Sequence, residues 1–261
     1  MRKGEIQILH EDAEIIIINK PAGVSVTGDR TGADDILDVL GGLFAEGLRL
    51  VHRLDKFTSG AMILAKTPAA QSKYVALFAK RRIRKTYLAL VTGIVKDPTG
   101  TIDAPLAQDR HDARRMRIDH KRGKAAVTRY RLLADFGGVA LLAVSPETGR
   151  MHQIRVHLAG IGMPLAIDPL YGGGRPLMLS QIKPDYRSSK DRDESPLIDR
   201  LTLHAYQLEV PWPQTKTRLF VAPLEKKFAA AVKMLTKHNP KGPEAFTDPH
   251  TSPALLAAEP I

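Results

Sequence analysis

The chain has 261 residues, 43% of them hydrophobic and 26% charged, with a formal net charge of +11 and no cysteine. That length holds one large domain or two small ones with a real core, and the missing cysteines exclude a disulfide framework and a thiolate metal site. The charge favours a polyanionic partner, no window approaches a membrane-spanning apolar run, and the basic start turns polar again at His10-Glu11-Asp12 instead of entering a signal-peptide core, so a cytoplasmic location is expected.

Residues 5–9 and 14–19 read as two strands around a turn at Glu11-Asp12, and Lys20-Pro21-Ala22-Gly23 ends the second. Residues 34–44 read as a helix, with Ile36, Leu37, Val39, Leu40 and Leu43 on one side and Asp34 or Asp35 near its start. Leu48-Arg49-Leu50-Val51 reads as a strand entering the core, Thr58-Ser59-Gly60 as turn chemistry, and residues 61–65 as another apolar strand. Thr67-Pro68 opens a helix with Val75, Leu77 and Phe78 as its apolar face and Lys80-Arg81-Arg82 at its end, where cations suit the helix dipole.

Residues 86–92 are strand-like and contain Tyr87, whereas 93–113 are turn-rich and polar. Residues 127–134 and 139–144 pair as antiparallel strands around Asp135-Phe136-Gly137-Gly138. From Arg150 a helix follows, with Ile154 and Leu158 facing the core and Gly160 and Gly162 ending it. A long loop occupies about 172–198, late strands fall at 201–208 and 218–221, and 224–235 form a final helix. The pattern is α+β, with one domain over 1–236 and a flexible tail over 237–261.

Between the strands at 48–51 and 61–65, a carboxylate, an arginine and a histidine share one short loop, His52-Arg53-Leu54-Asp55-Lys56. Loops held by a rigid scaffold concentrate catalytic groups, while a surface loop in which Asp55 caps a turn and pairs with Arg53 or Lys56 fits the same pattern. Basic residues cluster at Lys80-Arg81-Arg82 with Arg84-Lys85, and again at Arg114-Arg115, Arg117, Lys121-Arg122 and Lys124, as a nucleic-acid track requires. His152 and His157 are five residues apart and do not share a helix face as ligands at i, i+4 would, so no metal is expected.

The run His52-Arg53-Leu54-Asp55-Lys56-Phe57-Thr58-Ser59-Gly60 resembles the signature of the RluA-type RNA pseudouridine synthases. Further segments match in order: residues 16–23, Arg84-Lys85-Thr86-Tyr87-Leu88-Ala89, residues 147–157, and Arg200-Leu201-Thr202-Leu203-His204-Ala205. The resemblance spans roughly residues 5–225. It implies a mixed, largely antiparallel sheet with flanking helices and a central active-site cleft, and isomerisation of uridine in ribosomal or transfer RNA. Asp55 is then the catalytic group, with Tyr87 and Arg155 supporting it and Arg53, Lys85, Arg150 and Gln153 touching RNA.

No cofactor is implied, and the chain is expected to act as a monomer. Some relatives carry an S4-type RNA-binding domain at the N-terminus. Here the matching pattern begins near Glu5, so RNA binding is expected from the catalytic domain itself. A non-catalytic RNA-binding or assembly factor on the same fold is the alternative. A glycosidic hydrolase would need a second acid, for which Asp168 and Glu147 are candidates by elimination. Residues 108–124 and 175–200 are where target choice is expected.

Overall fold

The structure, a computed structural model, describes residues 6–28, 34–41, 44, 47–183, 185–187 and 193–238. Most of the expected tail, from residue 239, lies outside the described residues, as do Leu43 and residues 184 and 188–192 of the long loop. Among the described residues the chain runs β1 (Gln7–Glu11), β2 (Ile15–Lys20), α1 (Ile36–Gly41), β3 (Arg49–Leu50), β4 (Ser59–Ala65), α2 (Pro68–Ala79), β5 (Arg84–Thr92) and β6 (Thr99–Asp103). It continues β7 (Leu106–Gln108), β8 (Met116–Ile118), β9 (Val127–Asp135), β10 (Val139–Pro146), α3 (Gln153–Gly160), β11 (Leu203–Trp212), β12 (Lys216–Val221) and α4 (Lys226–His238). Strand pairing is mixed and mostly antiparallel, so the fold is α+β. No helix among the described residues is long and apolar enough to cross a membrane.

The chain forms two compact units, Met1–Thr86 with His204–Pro223, and Tyr87–Leu203 with Leu224–Ile261. In the first, β2 lies antiparallel to β1 and β4, β3 also pairs antiparallel with β4, and β11 runs parallel to β4 and antiparallel to β12. Ile15 to Ile18 are all buried, as are all seven residues of β4. Strands buried on both faces read as continuous apolar runs, which is why both were legible in the sequence.

The side of α2 differs from expectation. Ala70 and Tyr74 are its buried residues, Leu77 and Phe78 pack partly against the same core, and Val75 is 44% exposed. The stripe therefore runs i, i+4, i+7, i+8 from Ala70, and Val75 sits about 100° off it. Thr67 caps the helix by accepting the Ala70 N–H at 3.1 Å. Residues 42 and 43 lie outside the described ones; helix α1 spans Ile36–Gly41, so it begins two residues after the expected start at 34. Asp35 accepts the N–H groups of Leu37 and Asp38 at its start.

In the second unit, β5, β10, β9 and β6 form an antiparallel series, and β7 and β8 make a separate hairpin. Two of these strands fall inside 93–113, expected to be polar turns. Strand β6 buries little besides Ile102, so it has no apolar alternation to read. Within the long loop, Leu177 bridges Ile198, a turn of 3-10 helix spans Leu179–Gln181, and Glu194 accepts the Ser180 N–H at 2.8 Å.

Ser59 and Gly60 open strand β4; they do not form a turn. Gly60 has φ of +113°, and a Cβ there would lie 2.2 Å from the Ala205 carbonyl oxygen across the parallel pairing with β11. Only glycine permits that approach. Gly60→Ala should cost at least about 3 kcal/mol in urea unfolding, since it combines backbone strain with a clash against backbone. A loss under about 1 kcal/mol would show that the two strands yield at this point.

Candidate active site

In the first unit, the loop between β3 and β4 is tied down from several directions. The Thr58 N–H donates to the Asp55 carbonyl at 3.0 Å, closing a turn around Lys56 and Phe57. The Lys56 carbonyl accepts the Gly23 N–H at 2.9 Å and the Lys20 ammonium at 3.1 Å. Lys20, at the end of β2, is fully buried, and its Nζ also donates to the carbonyls of Pro21 at 3.0 Å and Val24 at 2.8 Å. A buried ammonium is tolerated only where such oxygens replace its water. The segment Asn19-Lys20-Pro21-Ala22-Gly23 thus grips the Lys56–Phe57 peptide, one residue beyond Asp55.

Both ends of the loop are held as well. His52 Nε2 accepts the Ile63 N–H at 3.0 Å, and its ring lies on Phe78 at 4.3 Å between centroids. Burial, aided by the nearby Lys85 charge, pushes the imidazole down to about 3. It is neutral, with the proton on Nδ1. At the other end, His204 Nε2 donates to the Ala222 carbonyl at 3.1 Å, so its Nδ1 accepts the Ser59 hydroxyl at 2.8 Å.

Asp55 is half-buried, Arg53 is exposed, and Phe57 is 51% exposed beside them. Lys85 is half-buried, and burial pushes its amine down to about 8, close enough to neutrality for its charge to respond to modest changes of pH.

In the second unit, Tyr87 is half-buried on β5 opposite Val144. Arg155 is 5% exposed on α3, which rules out a solvated helix arginine. Its Nε donates to Asp168 Oδ2 at 2.7 Å and its Nη2 to Asp168 Oδ1 at 2.8 Å, a two-pronged pair with a fully buried carboxylate. Asp168, a candidate second acid by elimination, is the holder of Arg155 instead.

Gln153, expected to touch RNA, is 4% exposed. Its Oε1 accepts the Thr148 hydroxyl at 2.7 Å and the Arg150 N–H at 3.0 Å, while its Nε2 donates to the Val127 carbonyl and the Thr128 hydroxyl oxygen. The Thr128 hydroxyl faces His157 Nδ1 at 2.9 Å, and His157 Nε2 donates to the Ala104 carbonyl at 2.9 Å. This chain of bonds seats the start of α3 on β9, so the Gln153 amide is committed within the framework. Arg150 is exposed, with its Nε on the Ala125 carbonyl at 3.2 Å.

The model of the RNA pseudouridylate synthase family matches residues 14–160, more than half of the chain. The chain belongs to that family. It is 38% identical to an uncharacterised RNA pseudouridine synthase of Zymomonas mobilis over 85% of this chain and 95% of that one. It is 39% identical to the ribosomal large subunit pseudouridine synthase D of Nitrosomonas europaea over 88% of this chain and 65% of the relative. The structure of human RNA pseudouridylate synthase domain containing 4 superposes with a TM-score of 0.71 at 30% identity, covering 91% of this chain and 95% of that one.

This RNA pseudouridine synthase holds its loop with two residues that motif reading left without roles, Lys20 and His204. A lysine two residues after a run of four isoleucines, on the same strand, is the sequence signal that could have marked the first.

The buried imidazole has a consequence for pH. Unfolded, His52 titrates near 6.5; folded, it titrates at about 3. The unfolded state therefore binds the extra proton throughout that window. Stability is complete above the unfolded value and falls as pH drops toward 3, by up to about 1.4 kcal/mol per pH unit from this group. His157, also pushed down by burial, acts in the same direction and cancels when variants are compared. Urea melts between about pH 7 and 5 should show a steeper loss for the wild type than for His52→Gln. Equal slopes would mean that the native ring takes up protons freely.

Proposed function

We propose that this synthase isomerises specific uridines of ribosomal or transfer RNA, with Asp55 as the catalytic carboxylate. The observation that carries the reading is the immobilised turn at Asp55. Its carbonyl and that of Lys56 are both engaged, so the side chain projects from a fixed backbone. Holding a reacting group in place removes entropy that a mobile loop would lose in the transition state. The similarity to enzymes named for the large ribosomal subunit favours ribosomal RNA.

The reaction breaks the N1–C1′ bond of uridine and rejoins the same uracil through C5, with no atom added. Asp55 serves it either by attacking C1′ or by taking a proton from C2′. Uracil leaves as a delocalised anion, so a strong acid partner is not required, and Asp168, committed to Arg155, is not available as one. Arg155 supports the ionised state of the catalytic aspartate, as the family resemblance implies.

The Tyr87 ring supplies a face for the flipped base, as the family resemblance implies. Arg53 and Arg150, both exposed, and Lys85 serve the phosphate backbone. The Gln153 side chain contributes indirectly, by seating the helix that carries Arg155.

Asp55→Asn should abolish pseudouridine formation while leaving RNA affinity within about threefold, because phosphate contacts dominate binding. Pseudouridine mapping of total RNA from cells with and without the protein checks this and names the target. Retained turnover in the variant would remove Asp55 from the mechanism; unchanged maps would favour a binding factor. Tyr87→Phe separates two roles for the ring: activity kept assigns the stacking face, activity lost assigns the hydroxyl.

A further inference from the structure

We propose that the turn carrying Asp168 and Tyr171 is a positioning device for Arg155, and that Tyr171 links that arginine to the β7–β8 hairpin. The inference rests on the reading of Arg155 as a support of the catalytic aspartate. It concerns how the arginine is kept in place.

The Asp168 carboxylate is oriented before Arg155 meets it. Its Oδ1 accepts the N–H groups of Leu170 at 2.9 Å and Tyr171 at 3.2 Å, and its own N–H donates to the Gly173 carbonyl at 3.0 Å. The Gly172 N–H closes the turn on the Asp168 carbonyl at 2.9 Å, and a Cβ at Gly172 would lie 2.8 Å from the Leu165 carbonyl oxygen. A carboxylate so fixed presents two oxygens to one edge of the guanidinium and leaves Arg155 little freedom to rotate.

Buried pairs of this kind add little net stability, because desolvation cancels most of the attraction; their use is geometric. A neutral side chain of similar shape would preserve the turn but hold the arginine with a weaker, less directional grip.

Tyr171 extends the arrangement to the hairpin. Its hydroxyl accepts the Met116 N–H at 2.6 Å, at the first residue of β8, and meets His152 Nδ1 at 2.8 Å. The guanidinium carbons of Arg155 and Arg115 lie 5.1 and 5.4 Å from its ring centroid, both within cation–π range. One phenol thus touches the hairpin, the residue before α3 and the arginine.

The hairpin is strongly basic. Arg110, Arg117, Lys121 and Arg122 line a cavity of about 550 Å³ together with His111 and two carboxylates, Asp109 and Asp119, the second paired with Arg117; the cations outnumber the acids, and a phosphate backbone is the ligand such a surface suits. A shift of β8 as RNA seats there would reach Arg155 through the Met116–Tyr171 bond. The hairpin then contributes to turnover as well as to affinity.

Steady-state kinetics on a defined RNA, direct RNA binding and urea unfolding of Asp168→Asn and Tyr171→Phe test this together. Asp168→Asn should lower kcat by about 10- to 100-fold while KM and RNA affinity stay within about threefold, the cost expected of a misplaced group. Tyr171→Phe keeps the ring and loses both hydroxyl bonds; kcat should fall by roughly three- to tenfold with KM unchanged. Combining Asp168→Asn with Arg155→Lys should cost no more than the worse single change, because both remove one interaction.

Wild-type kcat in a folded Asp168→Asn, losses that multiply in the double variant, or a rise in KM alone would overturn the proposal. If Asp168→Asn fails to fold, an unchanged kcat in Tyr171→Phe overturns it. Asp55→Asn in the same assay separates the two readings. An inactive Asp55→Asn beside a normal Asp168→Asn defeats only this inference, whereas an active Asp55→Asn defeats the catalytic assignment beneath it.

Discussion

A buried positive charge organises the loop that carries Asp55. Lys20 ends a strand of four buried isoleucines, and its ammonium reaches three carbonyls, one of them 36 residues away at Lys56, next to Asp55. An ammonium in such a place has to find oxygens, and those oxygens belong to the loops that follow β2 and Asp55. The solvation demand of one side chain therefore becomes a constraint on backbone. The His52 bond to Ile63 and the Ser59 bond to His204 add constraints before and after the same turn.

The second unit meets a similar requirement with neutral groups and one ion pair. Gln153, Thr128 and His157 pass hydrogen bonds in sequence from the start of α3 to the Ala104 carbonyl. Networks of this sort fix position because each missing bond would leave a buried polar group unpaired. The pair of Arg155 and Asp168 then sets the direction of a charged group on the helix so placed. A framework residue and a proposed functional residue are thus neighbours in sequence: Gln153 and Arg155 sit two apart on α3, the first bonded to Thr148, Val127 and Thr128 and the second to Asp168.

The parts of this arrangement that local pattern could reveal were the strands β2 and β4, the hairpin of β9 and β10, and the helix following Arg150. Each is long, apolar on its buried side and bounded by turn residues. Strand β6 was missed because an edge strand with one buried residue has no period to detect. The face of α2 was misjudged because Val75 is apolar yet falls beside the buried stripe, and Tyr74, which carries a hydroxyl, falls on it. Asp55 was legible only because its loop matches a family signature; chemically, a carboxylate beside an arginine reads equally well as an exposed turn.

What the sequence by itself determined is the family, the α+β class, the basic surface and the identity of the candidate catalytic aspartate, since all of these depend on short segments or on composition. Tertiary structure alone decided which polar groups answer one another: Lys20 with Lys56, Ser59 with His204, Arg155 with Asp168, Tyr171 with Met116. It also decided that Gly60 sits at a close approach of two strands and is not part of a turn. These pairings join residues from 13 to 145 positions apart. They are set by the need to satisfy buried donors and acceptors after the core has formed, and no local pattern records which distant partner will satisfy them.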